Sequence, residues 1–198
     1  MERVNATGKA APYRPALFMW RKTWQRTKNK TGVAGEFLVA YKLSEMGLAT
    51  AITLKNTQKI DLLVSDGTSA KMVQVKTTDE KKTDWHCTLP EKALPDLVYV
   101  FVVLNSGTGE PPEFYVLPSA NVIKIMNFID RNYQGIYMEN HGKPFTGKGA
   151  PKFALFDAGR RSNSTYIDKR HPASAYKDRW DLLGLETAGQ TREKGGKA

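Results

Sequence analysis

The chain has 198 residues, 30 Lys+Arg against 20 Asp+Glu, a formal net charge of +10 and 40% hydrophobic residues. That apolar share suffices for one sizeable core and excludes wholesale disorder; no run approaches the roughly 18 uninterrupted apolar residues of a membrane span. A single cysteine, Cys87, excludes an intrachain disulfide, and with three histidines it argues against structural zinc. The N-terminus shows no secretory signal pattern, and a reducing cytoplasm is the expected compartment.

The charge is uneven. Residues 1–30 hold eight basic groups (Arg3, Lys9, Arg14, Arg21, Lys22, Arg26, Lys28, Lys30) against Glu2, so +7 of the +10 sits in an N-terminal arm. A basic arm on a nearly neutral domain points to a polyanionic partner, nucleic acid ahead of an anionic membrane surface. Pro15 can open a short helix over Ala16–Asn29, broken by Thr31-Gly32. Residues 32–47 form the clearest helix: Val33, Glu36, Ala40, Leu43 and Gly47 share one face, and Gly47 is its stop. Glu36 thus places a carboxylate on an otherwise apolar or small-residue face, a costly position unless a cation compensates; at the edge of that stripe it would simply be solvated.

Strands are expected over Leu48–Leu54, Ile60–Ser65 and Ala70–Thr77, with a turn at Asp66-Gly67-Thr68, and another over Trp85–Leu89. Leu97–Leu104 is a continuous β-branched and aromatic run, expected to be buried on both faces. Glu113–Leu117 is a further strand, and Pro118-Ser119 opens a helix to about Asp130. This order predicts an α/β (α+β) three-layer domain. Residues 131–172 look irregular and carry a second basic zone (Lys143, Lys148, Lys152, Arg160, Arg161, Lys169, Arg170). A last helix is expected over Ala173–Leu183, with Tyr176, Trp180 and Leu183 on one face. The expected organisation is a basic arm at 1–30, a core at 31–130, a basic extension packing on it at 131–185 and a disordered tail at 186–198.

Gln74 and Lys76 share a strand face about 7 Å apart. Register decides whether Asp61 joins them. A two-residue Gly67-Thr68 loop puts Asp61 opposite Gln74; a two-residue Asp66-Gly67 loop puts it opposite Met72, a diagonal step from Gln74; a three-residue loop sends it to the other face. The apolar set Ile60, Leu62, Val64, Val73 and Val75 on the opposite face favours an even loop. Carboxylate and amide oxygens are hard ligands suited to Mg²⁺, and an adjacent ammonium can orient a water or stabilise charge on phosphorus. These parts describe phosphodiester hydrolysis, against the simpler alternative of a cross-strand Asp61–Lys76 salt bridge.

Across Gly32-Val33-Ala34-Gly35-Glu36, Ile60-Asp61-Leu62 and Val73-Gln74-Val75-Lys76-Thr77 the sequence resembles the PD-(D/E)XK nuclease superfamily. In pattern it looks most like the branch with archaeal Holliday-junction resolvases and Mrr-type nucleases. The resemblance spans roughly residues 32–118. It implies a restriction-endonuclease-like core, with a central mixed β-sheet flanked by helices. It also implies a metal set of Glu36, Asp61, Gln74 and the Val75 carbonyl, a catalytic Lys76, Mg²⁺ as cofactor with Mn²⁺ able to substitute, DNA as substrate and a homodimer to cut both strands. Ile60 stands where the pattern has proline. Gln74 stands where it has an acid, as in Mrr-like members, which removes one negative charge and predicts weaker metal binding. Arg21, Lys22, Arg26, Lys28, Lys30, Arg160 and Arg161 are the candidate DNA-backbone contacts. The other function classes are a non-catalytic nucleic-acid-binding protein retaining the fold and an RNA-directed nuclease.

Overall fold

The computed structural model describes residues 28–53, 60–79, 83–87, 92–146, 153–157 and 167–187. Helix α1 (Lys28–Glu45) is followed by strands β1 (Ala49–Ile52), β2 (Leu62–Ser65), β3 (Ala70–Thr78), β4 (Asp84–Trp85), β5 (Leu97–Val103) and β6 (Glu113–Pro118), helix α2 (Ser119–His141) and strand β7 (Phe153–Ala154). The main sheet has five strands in the order β1-β2-β3-β5-β6. Only β3 and β5 run parallel; the other neighbours are antiparallel.

Burial on β5 explains the layering. All seven of its residues are buried, and they alternate between two cores. Val98, Val100 and Val102 join Val39 and Leu43 of α1. Leu97, Tyr99, Phe101 and Val103 join Val122, Ile125, Met126 and Ile129 of α2. The sheet is therefore mixed and flanked by helices. No described helix is long and apolar enough to cross a membrane.

Helix α1 begins at Lys28, ahead of the expected start at Gly32. A helical glycine costs only about 1 kcal/mol relative to alanine, too little to stop a helix whose face is buried. It ends as expected at Gly47, whose φ is 84°. The Gly47 N–H donates to Ser44 O and the Leu48 N–H to Leu43 O, the paired bonds that satisfy a helix's last carbonyls.

Three expectations need correction. Helix α2 runs eleven residues beyond Asp130, to a left-handed cap at Gly142. Its fully buried residues end at Ile129, but Tyr133, Ile136 and Tyr137 continue the helical spacing, and Phe145 packs 5.1 and 5.0 Å from the two tyrosine rings; the expected end at Asp130 stops short of a pattern the sequence carries. The stretch 131–172 also contains β7, which pairs antiparallel with β4. The expected helix over Ala173–Leu183 is two 3₁₀ turns, Ala173–Ala175 and Trp180–Leu183, split where Asp178 takes a φ of 53°. Between them the chain pairs with the outer edge of β6: Val116 N–H donates to Tyr176 O and Asp178 N–H to Phe114 O. Tyr176 enters one core while Trp180 and Leu183 enter the other. Edge pairing thus displaces helix and closes an otherwise open strand. The expected helix at 16–29 lies, but for its last residues, outside the described residues, as do Leu54 of the first strand and the end of the strand expected at 85–89.

Candidate active site

The β2–β3 hairpin sets the site. Its loop has even length: Asp66 N–H donates to Ser69 O, and Gly67 sits at a φ of 93°, a conformation that suits glycine. Asp66 Oδ1 accepts the Thr68 and Ser69 N–H groups, and Oδ2 accepts that of Glu186. These bonds, Glu186's foremost, hold its carboxyl well below the usual carboxylate range. The register is Ser65↔Ala70 through Leu62↔Val73.

Extrapolated, that register would put Asp61 opposite Gln74. The chain departs from it by one residue. The Asp61 N–H donates to Val73 O, although Val73 is already the partner of Leu62. Two residues of β2 then oppose one of β3, the arrangement of a β-bulge, which re-aims a side chain. The Asp61 carboxylate turns in to accept the Val75 N–H through Oδ2 at 2.7 Å. A strand N–H lies in the plane of its sheet, so this bond puts the carboxylate at the edge of β3. The Val75 carbonyl lies along that same edge. Asp61 O in turn accepts the Thr53 N–H of the segment after β1, which fixes the bulge from its other side.

Along β3 the side chains alternate. Val73 and Val75 pack in the core beneath α1, and Thr77 meets α1 at Gly35. Gln74 and Lys76 point to the other face, beside Tyr99 and Phe101 in the β3–β5 register. Gln74 is only 9% exposed, yet its amide bonds to no described residue. Lys76 is half-buried and forms no ion pair among the described residues. Its ammonium acts on the buried Cys87 thiol: burial pushes that thiol up, and Lys76 pulls it partly back. Burial likewise pushes the Tyr99 phenol up to about 12. Both stay neutral at pH 7, so neither Cys87 nor Tyr99 supplies a base or an anionic ligand.

Glu36 follows Gly35 on α1, at the N-terminal end of the buried stripe that continues through Val39 and Leu43. It is half-buried. Glu36 therefore approaches β3 from the α1 side, Gln74 and Lys76 lie on the opposite side, and Asp61 sits at the edge between them. The expected single polar face holds for Gln74 and Lys76; the bulge is why Asp61 departs from it. Among the described residues no three His, Cys, Asp or Glu side chains cluster as metal ligands, and the candidate set itself holds only two carboxylates.

Of the candidate DNA contacts, Lys30 lies exposed on α1 and Lys28 is its first residue. Arg21, Lys22, Arg26, Arg160 and Arg161 lie outside the described residues. His86 and His141 are exposed. His171 Nδ1 lies 2.6 Å from the Tyr176 hydroxyl, and burial lowers its pKa. The tight Gly35–Thr77 approach was not foreseen; a glycine on the buried face of a helix is the signal that marks one.

No protein-family model and no curated protein matches the chain. Its architecture is that of a mixed α+β domain built on a five-stranded sheet between helices. Among solved structures it is similar to a bacterial homing endonuclease, I-Ssp6803I, with a TM-score of 0.50 at 14% identity, over 87% of this chain and 99% of that one. At that identity the likeness concerns the fold.

Proposed function

We propose that this protein is a metal-dependent DNA endonuclease of the PD-(D/E)XK type. The observation that carries the reading is the Asp61 bulge beside Lys76. The Asp61 carboxylate is held on the Val75 N–H, one residue before Lys76, and the two form no ion pair among the described residues, so each is left to meet a substrate or cation. The fold shared with a homing endonuclease supports the same reading.

The residues fit a hard divalent cation. Asp61 Oδ1 takes no hydrogen bond among the described residues, and the Gln74 amide has none. By type, Asp61, Gln74, Glu36 and the Val75 carbonyl are the all-oxygen donors that Mg²⁺ or Mn²⁺ takes, and they would have to meet around the open edge of β3 at Val75. When bound, the ion would supply charge neutralisation at the scissile phosphate and acidify a water. The chain's own groups do the rest. The Val75 N–H holds Asp61 in place before substrate arrives, so its geometry needs no reorganisation. Lys76 donates to the attacking water or to the phosphoryl oxygens as negative charge builds there. The N-terminal basic arm grips the phosphate backbone. Cleavage of both strands calls for two such sites, hence a homodimer.

The test is cleavage of linear, branched and single-stranded DNA, with an RNA panel alongside, in Mg²⁺, Mn²⁺ and EDTA. Metal-dependent scission of DNA is expected. Binding of DNA with no cleavage in either metal would favour a non-catalytic binding protein, and cleavage confined to RNA would reassign the substrate.

A further inference from the structure

Gly35 is a buried residue at a close approach of α1 to β3. A Cβ at Gly35 would lie 1.9 Å from Thr77 Oγ1 and 2.9 Å from both Thr77 Cβ and Cγ2. Rotation about χ1 could swing Oγ1 or Cγ2 aside. It cannot move the Thr77 Cβ, which the backbone fixes. Any side chain at position 35 therefore forces helix and strand apart. The tightness is local, because at Gly32 in the same helix a Cβ would meet nothing within 4 Å.

Thr77 adds an independent observation. Its Oγ1 is buried and bonds to nothing among the described residues, whereas buried hydroxyls as a rule find a partner. Hydrogen bonding does not account for the hydroxyl. Filling the notch over Gly35 does. The flanking residues are the ones the nuclease reading needs: Glu36 follows Gly35, and Lys76 precedes Thr77.

Resting on that reading, we propose that the Gly35–Thr77 contact is a spacer that sets how far the Glu36 carboxylate stands from Asp61 and Gln74. Gly35 and Thr77 are positioning residues for the divalent cation and touch neither it nor the DNA. A helix moves as a body, so a displacement at Gly35 passes undiminished to Glu36. Mg²⁺ demands near-ideal ligand distances, and a misplacement of about 1 Å near a reacting group costs on the order of 10²-fold in rate.

The experiment measures Mn²⁺ binding to the full chain by electron paramagnetic resonance of the free ion, beside a thermal melt and a cleavage assay. The variants are Gly35→Ala, Glu36→Ala, the two combined, and Gly32→Ala. Gly35→Ala is expected to weaken Mn²⁺ binding by about 10–100-fold, the range for groups that orient metal ligands, and to slow cleavage while remaining folded. Gly32→Ala should match the wild type. The combined variant should bind no more weakly than Glu36→Ala alone, because the spacer acts only through that carboxylate. Wild-type Mn²⁺ affinity in Gly35→Ala, or a loss that adds to that of Glu36→Ala, would overturn the spacer and leave the nuclease reading standing. Wild-type affinity in Glu36→Ala would instead overturn Glu36 as a ligand. Should Gly35→Ala fail to fold, Gly35→Ala with Thr77→Ala, which removes the closest atom and leaves the Cβ contact, carries the same comparison.

Discussion

The β2–β3 hairpin and the region around β6 differ in how they treat their polar groups. Around β6 and the C-terminal segment several buried polar groups are bonded, although Asn105 Oδ1 and Trp180 Nε1 are not. Ser119 Oγ donates to Leu94 O at 2.6 Å and accepts the Leu94 N–H at 2.9 Å. Thr83 Oγ1 donates to Leu155 O, and Trp85 Nε1 to Val102 O, each at 2.9 Å. Asp168, 3% exposed, is gripped by Arg170 through both carboxylate oxygens at 2.8 Å. At the β2–β3 hairpin the Thr77 hydroxyl is buried and unbonded, Asp61 satisfies one oxygen, and among the described residues the Gln74 amide bonds to nothing and Lys76 pairs with no acid. Unmet buried polar groups cost about 1–3 kcal/mol each. Since Asn105 Oδ1 and Trp180 Nε1 leave the same requirement unmet near β6, what sets the β2–β3 region apart is charge: a carboxylate and an ammonium there form no ion pair among the described residues.

The sharpest way to break that contrast is to remove Lys76 or the charge on Asp61. Lys76→Ala should lower cleavage on the order of 10³-fold, the scale of losing one preorganised charge stabiliser. Its melting temperature should barely move, because no ion pair is broken. Asp61→Asn should also abolish cleavage, while its amide oxygen can still accept the Val75 N–H and keep the bulge. Asp61→Asn should bind DNA as tightly as the wild type or more so, since repulsion of phosphate falls. Were the two a buried ion pair, either change would strand a charge and cost roughly 3–5 kcal/mol. Paired melts and cleavage assays separate these outcomes.

Removing the arm tests whether grip and chemistry occupy separate parts of the chain. Since α1 begins at Lys28, the truncation should delete residues 1–27, which carry six basic groups and one acid. The slope of log K against log salt should become shallower by up to about 0.9 for each phosphate the arm no longer neutralises. Turnover of saturated enzyme should change far less. An unchanged slope would show that the arm does not reach the phosphates.

Around β6 and the C-terminal segment the prediction is one of stability. Arg170→Ala leaves the buried Asp168 without its partner. The cost should fall below that of a fully buried pair, because the Arg170 side chain is 70% exposed and water screens it. It should read as a fall in melting temperature at pH 7. The Arg170 hydrogen bonds hold the Asp168 carboxyl below its usual range. A depressed carboxylate contributes stability above its unfolded pKa of about 3.9 and loses it as pH falls through the folded value. The gap between wild type and variant should thus be full at pH 7 and close in acid below about pH 4. Cleavage at saturating metal should be unaffected at temperatures where both are folded.

The contrast was only half legible in the sequence. The β-branched run of β5, the Asp66-Gly67-Thr68 turn and Gly47 each specify local structure by their own chemistry, and the hairpin parity followed from which face of β2 and β3 is apolar. The Asp61 bulge did not follow, because one displaced hydrogen bond leaves no mark on a hydrophobic pattern. The expected helix over Ala173–Leu183 gives way for a related reason. The two turns near Tyr176 and Trp180 are held by pairing with β6, a long-range interaction that periodicity cannot register, whereas the second half of α2 carries Tyr133 and Tyr137 at helical spacing from Ile129. The candidate side chains could be named from residue types and spacing; how they are divided between the two sides of the sheet could not.

The smallest effect is at Gln74, and it tests what the unpartnered amide is for. A neutral amide at 9% exposure costs much less to bury than a carboxylate. Gln therefore lets this hairpin fold without a cation, at the expense of one charge toward it. Gln74→Glu reverses the balance at nearly constant shape. Without metal the variant should melt below the wild type, and lowering the pH should recover part of the loss, because desolvation raises the introduced carboxyl's pKa and acid neutralises it. With Mg²⁺ or Mn²⁺ the order should change. A ligand that binds only the folded state stabilises it by RT ln(1 + [L]/Kd), so a few-fold gain in affinity adds up to about 1 kcal/mol to the metal-induced rise. The metal concentration for half-maximal cleavage should fall by the same factor. Melting curves of both proteins, with and without metal at two pH values, decide the matter. If the deficit of Gln74→Glu persists unchanged in saturating metal, Gln74 does not face a cation, and its missing hydrogen bonds must be met by something else at this hairpin.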